Sequence, residues 1–166
     1  MTDAWTWGQN IGLTDGARPH DQITRQEVIT MLHRLHNFNN YVIPVTDEDL
    51  DILYRIAWAE AQGEDDKGVI LIVNVIVNRI NSSLFPHQNN VRDVVFAPGQ
   101  FAPVTDGSFD RATLDQRIKD LVHKALRGTD LSHGTLFFNG KHIKNTSWAG
   151  QNRVHAFDHG KHSFYY

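Results

Sequence analysis

The segment 68–80 limits how this chain can fold more than any other, because it is almost entirely apolar. Its β-branched residues would suit a buried strand. Thirteen residues are long for one strand, however, and the apolar positions recur at helical spacing. Those positions are Val69, Ile72, Val73, Ile76 and Ile80. We therefore predict a buried helix capped by Asp65 or Asp66, with Asn74 and Asn78 sharing one face.

Apolar spacing predicts three further helices. They cover residues 24–37, about 48–61 and about 113–127. A capping box at Thr24–Glu27 opens the first helix, and Thr46 or Asp47 can cap the second. Gly63 and Gly128 mark the ends of the second and third helices.

The rest of the chain predicts loops and short strands. Residues 81–112 contain several prolines and glycines and are expected to form a long loop, which in a compact domain is usually functional or disordered. The pair Asn139-Gly140 between apolar runs predicts a β-hairpin. Residues 155–157 and 163–165, on either side of Gly160, can add one or two strands.

Length, charge and composition exclude several classes of protein. A chain of 166 residues can bury one core, with or without a small appendage. A net charge of −3 argues against a general nucleic-acid binder. The absence of cysteine excludes disulfides and cysteine-based zinc sites or nucleophiles. No apolar run reaches the roughly 18 residues of a membrane-spanning helix.

The stretch 57–64 carries the clearest chemical signal, because it places Glu60 among apolar helix residues. A carboxyl group desolvated by such neighbours has a raised pKa and can hold a proton near neutral pH. It could then donate that proton to a leaving group, as the breaking of a glycosidic bond requires. The structural alternative is a helix-end glutamate paired with Arg55 or Arg79.

Five segments, in order along the chain, resemble the spore cortex-lytic and related cell-wall hydrolases. These segments are Ala59–Glu64, Gly68 with the run ending in Val77–Arg79, Gly99–Gly107, Leu136–Asn139 and Gly160–Tyr165. The resemblance implies an α+β, lysozyme-like fold that is mainly helical, with a small antiparallel β-sheet lining a groove. Two departures concern the site: Trp58 stands where relatives often have tyrosine or a smaller residue, and residues 139–155 lack the family's Asn-Pro.

The resemblance also implies an activity on peptidoglycan. Cleavage would fall between N-acetylmuramic acid and N-acetylglucosamine, by lytic transglycosylation or by hydrolysis, with Glu60 as the catalytic acid. A hydrolase normally uses a second carboxylate, for which Glu64 is the first candidate and Asp106 a weaker one. Their structural alternatives are capping or orienting the next helix for Glu64 and holding a turn before Gly107 for Asp106.

The same resemblance supplies candidate substrate-binding residues. They are Gln100, Phe101, Phe138, Asn139, His162 and Tyr165. An amide can bond to sugar hydroxyl or acetamido groups, and an aromatic ring can pack on a pyranose. Anchoring of the loop is the alternative for Gln100 and Phe101. Asn78 and Arg79 are expected to support the helix of Glu60 rather than to touch sugar.

The first 40 residues resemble one surface-layer-homology motif, carried by Trp7, Gly12–Gly16 and Met31–Leu35 among others. Such a motif either binds wall polymers or packs on the catalytic domain. We accordingly expect two units, an N-terminal helical segment at 1–45 and a lysozyme-like catalytic domain at 46–166. The N-terminus lacks the pattern of a signal peptide. Release at lysis, as from a phage lysin, a place in a virion, or removal of a leader would then bring the protein to the wall.

Two alternatives from other classes remain open. His155, His159 and His162 cluster in sequence and could belong to a zinc-dependent wall amidase or peptidase, although no His-Glu-x-x-His motif is present. A non-catalytic wall-binding protein is the second alternative. The leading prediction is a monomer that binds glycan strands, without a cofactor, a metal, nucleic acid or a membrane.

Overall fold

The computed structural model describes residues 25–166, apart from the side chains of residues 33–40. The helices are α1 (Arg25–Asn40), α2 (Asp47–Glu60), α3 (Asp66–Ile80), α4 (Val91–Val95), α5 (Ala102–Asp106), α6 (Gln116–Leu126) and α7 (Trp148–Asn152). The strands are β1 (Phe137–Gly140), β2 (His155–His159) and β3 (His162–Tyr165), and a 3₁₀ turn covers Lys141–Ile143. Most of the surface-layer-homology-like motif, including the predicted cap at Thr24, lies outside the described residues.

Helix α3 forms the centre of the fold, as its apolar sequence predicts. Eleven of its fifteen residues are buried, and α2, α4 and α6 all pack against it. Asp65 caps the helix by accepting a hydrogen bond from the Gly68 amide at 2.9 Å. The alternative of a strand is therefore wrong, because neighbouring helices surround this segment and bury every apolar side chain from Val69 to Val77.

Helix α2 starts and stops where local signals place it. Thr46 accepts from the Asp49 amide at 3.1 Å, and the Asp49 carboxylate accepts from the Thr46 amide at 2.9 Å. This reciprocal capping box satisfies two amides that the helix leaves unpaired. The helix ends at Glu60, and Gly63 turns the chain with a φ of +76°. Glu60 therefore lies on the last turn of a helix whose first turn is fixed by a capping box.

Two asparagines on α3 fix the connection between α6 and the sheet. The Asn74 amide donates to the Thr129 carbonyl at 2.9 Å, and its oxygen accepts from the Leu131 amide at 3.0 Å. The Asn78 amide donates to Ser132 Oγ and to the Thr135 carbonyl. The predicted common face of the two asparagines is thus confirmed, and it bonds to the segment 129–135 of the chain.

The sheet has three antiparallel strands in the order β1-β3-β2. The tail forms the hairpin β2–β3, with Gly160 at its turn in the left-handed region at φ +51°. The predicted hairpin at Asn139-Gly140 is wrong. Gly140 has φ −62° and ψ 137°, and it pairs with His162 inside the sheet. A two-residue hairpin turn would need positive φ at its centre, and β1 instead finds its partner at the end of the chain.

Smaller differences concern the ends of elements. The predicted loop 81–112 contains α4 and α5, which begin at an Asn90 cap and beside Pro103. The helix predicted at 113–127 begins later, at Gln116, because Asp115 provides its cap. Helix α1 runs on to Asn40 rather than ending near Asn37.

The surface of α1 differs from that of the core helices. Two of its apolar residues, Val28 and Leu32, are 37% and 60% exposed.

Among the residues that the structure describes, no helix is both long enough and apolar enough to cross a membrane.

Replacing the buried Asn74 with alanine should lower the free energy of unfolding by about 1–3 kcal/mol, because it leaves partly buried backbone groups at Thr129 and Leu131 without partners. Urea unfolding followed by circular dichroism measures the change. Asn145→Ala, at an exposed position, is the matched control and should stay within about 0.5 kcal/mol of the unmutated protein. Equal effects of the two substitutions would contradict the role of Asn74.

Candidate active site

Glu60 is a half-buried carboxyl group at the end of α2, flanked by the buried Ala57 and Ala61. Burial raises the pKa of Glu60 to about 7, and the negative charge of Asp106 adds to the increase. Neither predicted alternative partner is available: Arg55 donates to Asp51 at 2.7 Å, and Arg79 makes its hydrogen bonds elsewhere. Within the described part of the chain, no side chain forms an ion pair with Glu60. Such a group can act as a proton donor near neutral pH.

Asp106 is an exposed carboxylate at the end of α5, which packs on α2. Its oxygen accepts from the Ser108 hydroxyl and, at 2.8 Å, from the Ser108 amide. These bonds, with a smaller contribution from Arg111, hold the pKa of Asp106 below its usual range. Asp106 therefore holds a turn at Gly107, as its structural alternative predicted. It also stays ionised at a pH at which Glu60 is protonated.

Glu64 has a different environment from Glu60. Its side chain is 3% exposed, and its Oε1 accepts from the Lys161 amide at 2.7 Å and lies 3.6 Å from His162 Nδ1. A Cβ on Gly160 would lie only 1.6 Å from Glu64 Oε2, so glycine at this turn leaves room for the carboxylate. Asp65, not Glu64, caps α3. Glu64 therefore ties the β2–β3 turn to the segment between α2 and α3.

The predicted substrate-binding residues divide into exposed and buried groups. Gln100 is exposed, whereas Phe138, Asn139 and His162 are partly buried. Phe101 and Tyr165 are 3% and 1% exposed, so neither offers a ring face to a sugar in this structure. Both rings pack in buried apolar clusters, and a contact of either residue with sugar stays a prediction.

Aromatic contacts bring several of these residues together. The Phe101 and Phe138 ring centroids are 5.9 Å apart, and those of Phe138 and His162 are 5.3 Å apart. His162 in turn faces Glu64. Burial, which outweighs the nearby Glu64 charge, lowers the pKa of His162 and so favours its neutral form.

Asn139 on β1 and Tyr165 on β3 are joined by side-chain hydrogen bonds. The Asn139 amide donates to Ser147 Oγ, and the Tyr165 hydroxyl donates to Asn139 Oδ1 at 3.3 Å. Asn139 is therefore already bonded on both sides of its amide.

Neither Arg79 nor Asn78 has the predicted role of supporting the helix of Glu60; Asn78 bonds to Ser132 and Thr135, and Arg79 has other partners. Its guanidinium is buried and donates to the Leu136 carbonyl and to Gln100. Desolvation lowers the pKa of Arg79 to about 10, at which it remains charged at neutral pH. An arginine within an otherwise apolar helix is a signal for such a network, because a buried charge requires partners.

The three histidines of the zinc hypothesis have separate partners. His155 lies 2.7 Å from Asp158 Oδ1, beside Lys144, and this contact holds the pKa of Asp158 well below its usual range. His159 lies 2.7 Å from Asp65 Oδ1. His159 pairs with His162 across β2 and β3, whereas His155 lies opposite Tyr165. His155 therefore does not share a common ligand position with the other two.

One group of possible metal ligands does occur among the described residues. Potential ligand atoms of Glu64, Asp65 and His159 all lie within 4.8 Å of one another. Protein hydrogen bonds already occupy these groups, from the Lys161 amide to Glu64 and between His159 and Asp65. The geometry is that of a hydrogen-bonded junction.

Comparison with known proteins identifies the class to which this helical fold with a small sheet and a half-buried acid belongs. A family profile described as Cell Wall Hydrolase matches residues 63–165. The chain therefore belongs to the cell wall hydrolase family. The matched segment begins just after Glu60, so the assignment of the family does not itself rest on the proposed acid.

Curated relatives and solved structures agree with this family. The chain is 33% identical to the spore cortex-lytic enzyme of Halalkalibacterium halodurans over 72% of its own length and 35% of the relative, and 32% identical to that of Bacillus subtilis over 72% and 38%. It thus spans somewhat over a third of these relatives. The catalytic domain of the germination-specific lytic transglycosylase SleB from Bacillus anthracis matches with a TM-score of 0.65 at 28% identity, over 74% of this chain and 97% of that one. The Bacillus cereus SleB catalytic domain matches with a TM-score of 0.66 at 28% identity, over 76% and 96%. The predicted fold class is confirmed.

Replacing Gly160 with alanine should destabilise the protein more than replacing Gly134. Both glycines have positive φ, at +51° and +82°, but only a Cβ on Gly160 would collide with Glu64. Gly134→Ala should cost only the backbone strain of about 1–2 kcal/mol. Thermal or urea unfolding compares the variants, and a Gly160→Ala loss no larger than that of Gly134→Ala would contradict the packing of Glu64 beneath the turn.

Proposed function

We propose that this chain is a peptidoglycan-cleaving glycosidase that cuts between N-acetylmuramic acid and N-acetylglucosamine. The observation that carries the proposal is Glu60, a carboxyl group with a pKa of about 7 at the end of an apolar helix. Membership of the cell wall hydrolase family and the likeness to SleB catalytic domains support the same substrate. Spore cortex and vegetative wall are both targets that this chemistry could serve.

Lytic transglycosylation needs only one carboxyl group. Glu60 would donate its proton to the glycosidic oxygen as the bond from that oxygen to C1 of the muramic acid breaks. The resulting carboxylate would then accept the proton of the C6 hydroxyl of the same sugar while that oxygen bonds to C1. The product is a 1,6-anhydro sugar, and Glu60 ends the cycle protonated. A pKa near neutrality suits both steps, because the group must give and take one proton.

Asp106 is the better candidate for a supporting negative charge. Its environment lowers the pKa of Asp106, whereas the pKa of Glu60 is raised. Pairs of titratable groups whose pKa values are shifted in opposite directions are typical of acid–base sites. An ionised Asp106 would stabilise the positive charge that develops on the sugar ring. Glu64 is less suited to this role because its carboxylate is buried and bonded to the Lys161 amide.

The proposed organisation places the catalytic unit at 46–166, the part that contains α2–α7 and the sheet. Glycan strands are its proposed partner. Residues 1–45 would bind wall polymers or pack on the catalytic unit, and a monomer that acts at the bacterial wall without nucleic acid or membrane partners remains the prediction.

Glu60→Gln should abolish cleavage of purified peptidoglycan while leaving the fold unchanged, because the amide has the same shape but cannot donate the required proton. Mass spectrometry of the released muropeptides measures the products. Glu48→Gln, which alters an exposed glutamate at the other end of α2, is the matched control and should retain activity.

The kind of product separates the mechanisms. Anhydro-muropeptides that depend on Glu60 are the expected result. Reducing-end muropeptides would instead indicate hydrolysis and direct attention to Asp106 as the second carboxylate. Cut peptides with intact glycan, or more than a few per cent of activity left in Glu60→Gln, would overturn the proposal.

Activity should fall as pH rises through about 7, because Glu60 must be protonated to act as the acid. Asp106→Asn removes the charge that adds to the raised pKa of Glu60, so the alkaline limb of the pH–rate profile should move to lower pH. Asp110→Asn, another exposed aspartate of the same segment, is the control. An unmoved limb in Asp106→Asn would exclude the coupling between the two carboxyl groups.

A further inference from the structure

Arg79 is a buried cation whose partners include Gln100, one of the predicted substrate-binding residues. It lies in the last turn of α3 and is 4% exposed. Its guanidinium lies 5.3 Å from the ring centroid of Phe85, 5.8 Å from that of Phe101 and 5.3 Å from that of Phe137. Nε donates to the Leu136 carbonyl at 2.7 Å. Three rings and one fixed carbonyl therefore restrict how the guanidinium can be placed.

The guanidinium also binds the side chain of Gln100. Arg79 Nη1 donates to Gln100 Oε1 at 2.8 Å. A guanidinium has donors and no acceptor, so the amide atom that meets it must be the oxygen. The amide nitrogen of Gln100 then lies on the opposite side of the amide carbon. The Gln100 residue is exposed, and within the described residues nothing accepts a hydrogen bond from its nitrogen.

We propose that Arg79 is a positioning residue that fixes the Gln100 amide with its N–H groups facing outward. Gln100 thereby selects N-acetylated sugar. This inference rests on the proposed function. A free glutamine can turn its amide to present either a donor or an acceptor, whereas Gln100, with its oxygen turned to the buried guanidinium, presents its N–H groups outward. The carbonyl of an N-acetyl group is a matching acceptor. The ammonium group of a de-N-acetylated sugar has only donors and would leave Gln100 unpaired.

Binding, measured without turnover, tests the inference. In the Glu60→Gln background, the probes are purified peptidoglycan glycan strands and the same strands after chemical de-N-acetylation. We expect the acetylated strands to bind about tenfold more tightly, the value of one hydrogen bond. Gln100→Glu keeps an acceptor for Arg79 but replaces the outward donor with an acceptor, so it should remove that preference.

Arg79→Lys tests the positioning step. A lysine cannot hold two acceptors in the planar arrangement of the guanidinium, so the Gln100 amide would be free to turn. The preference for acetylated strands should fall, and adding Gln100→Glu should then change it little further, as a double-mutant cycle would reveal. Should Arg79→Lys not fold, Gln100→Glu and Gln100→Ala still decide the role of the donor.

The results that would overturn the inference differ from those that would overturn the proposed function. Equal weakening of both strands by Gln100→Glu, no effect on either, or binding of neither strand would reject the selection of acetyl groups. Product formation by the unmutated protein is measured separately. Absence of cleaved glycan, with the acetyl preference intact, would reject the proposed function and leave the role of Gln100 standing.

Discussion

Burial of α3 on all sides is the constraint on which the rest of the structure depends. A helix surrounded in this way can carry polar groups only if distant segments supply their partners. Asn74 and Asn78 bind the backbone at 129–135, and Arg79 binds the Leu136 carbonyl and Gln100. Asn74, Asn78 and Arg79, the polar residues within the apolar part of the helix, thereby align the connection into the sheet and hold Gln100.

The same core sets the chemistry of Glu60. Helix α2 packs on α3 through a continuous apolar cluster that includes Ala57 and Ala61, next to the carboxyl group. Removing water from one side of a carboxyl group favours its neutral form. Its protonated state near neutral pH therefore follows from packing, and Asp106, held ionised by Ser108, adds to the effect. Packing that stabilises the fold thus also raises the pKa of the proposed proton donor.

Local signals in the sequence were sufficient for α2 and α3, because caps such as Thr46 and Asp65 act within three residues and apolar spacing reports the buried face. They were insufficient where partners are distant. Asn139-Gly140 has the composition of a tight turn, yet its strand pairs with residues at the end of the chain. Glu60 was predicted from its neighbours along one helix, whereas the role of Arg79 depends on Gln100 and Leu136, which only the tertiary fold brings close. The burial of Phe101 and Tyr165 could not be predicted either, because it depends on residues that are distant in the sequence.

The ionisation of Glu60 itself is the most direct test of this account. Carbon-13 NMR of the side-chain carboxyl groups, titrated across pH 3 to 9 in labelled protein and assigned with Glu60→Gln, reports the pKa without substrate. The account requires a value of about 7 for Glu60. A value near the ordinary 4.5 of a glutamate would mean that the group is ionised at neutral pH, and it would contradict the role of packing in preparing the acid.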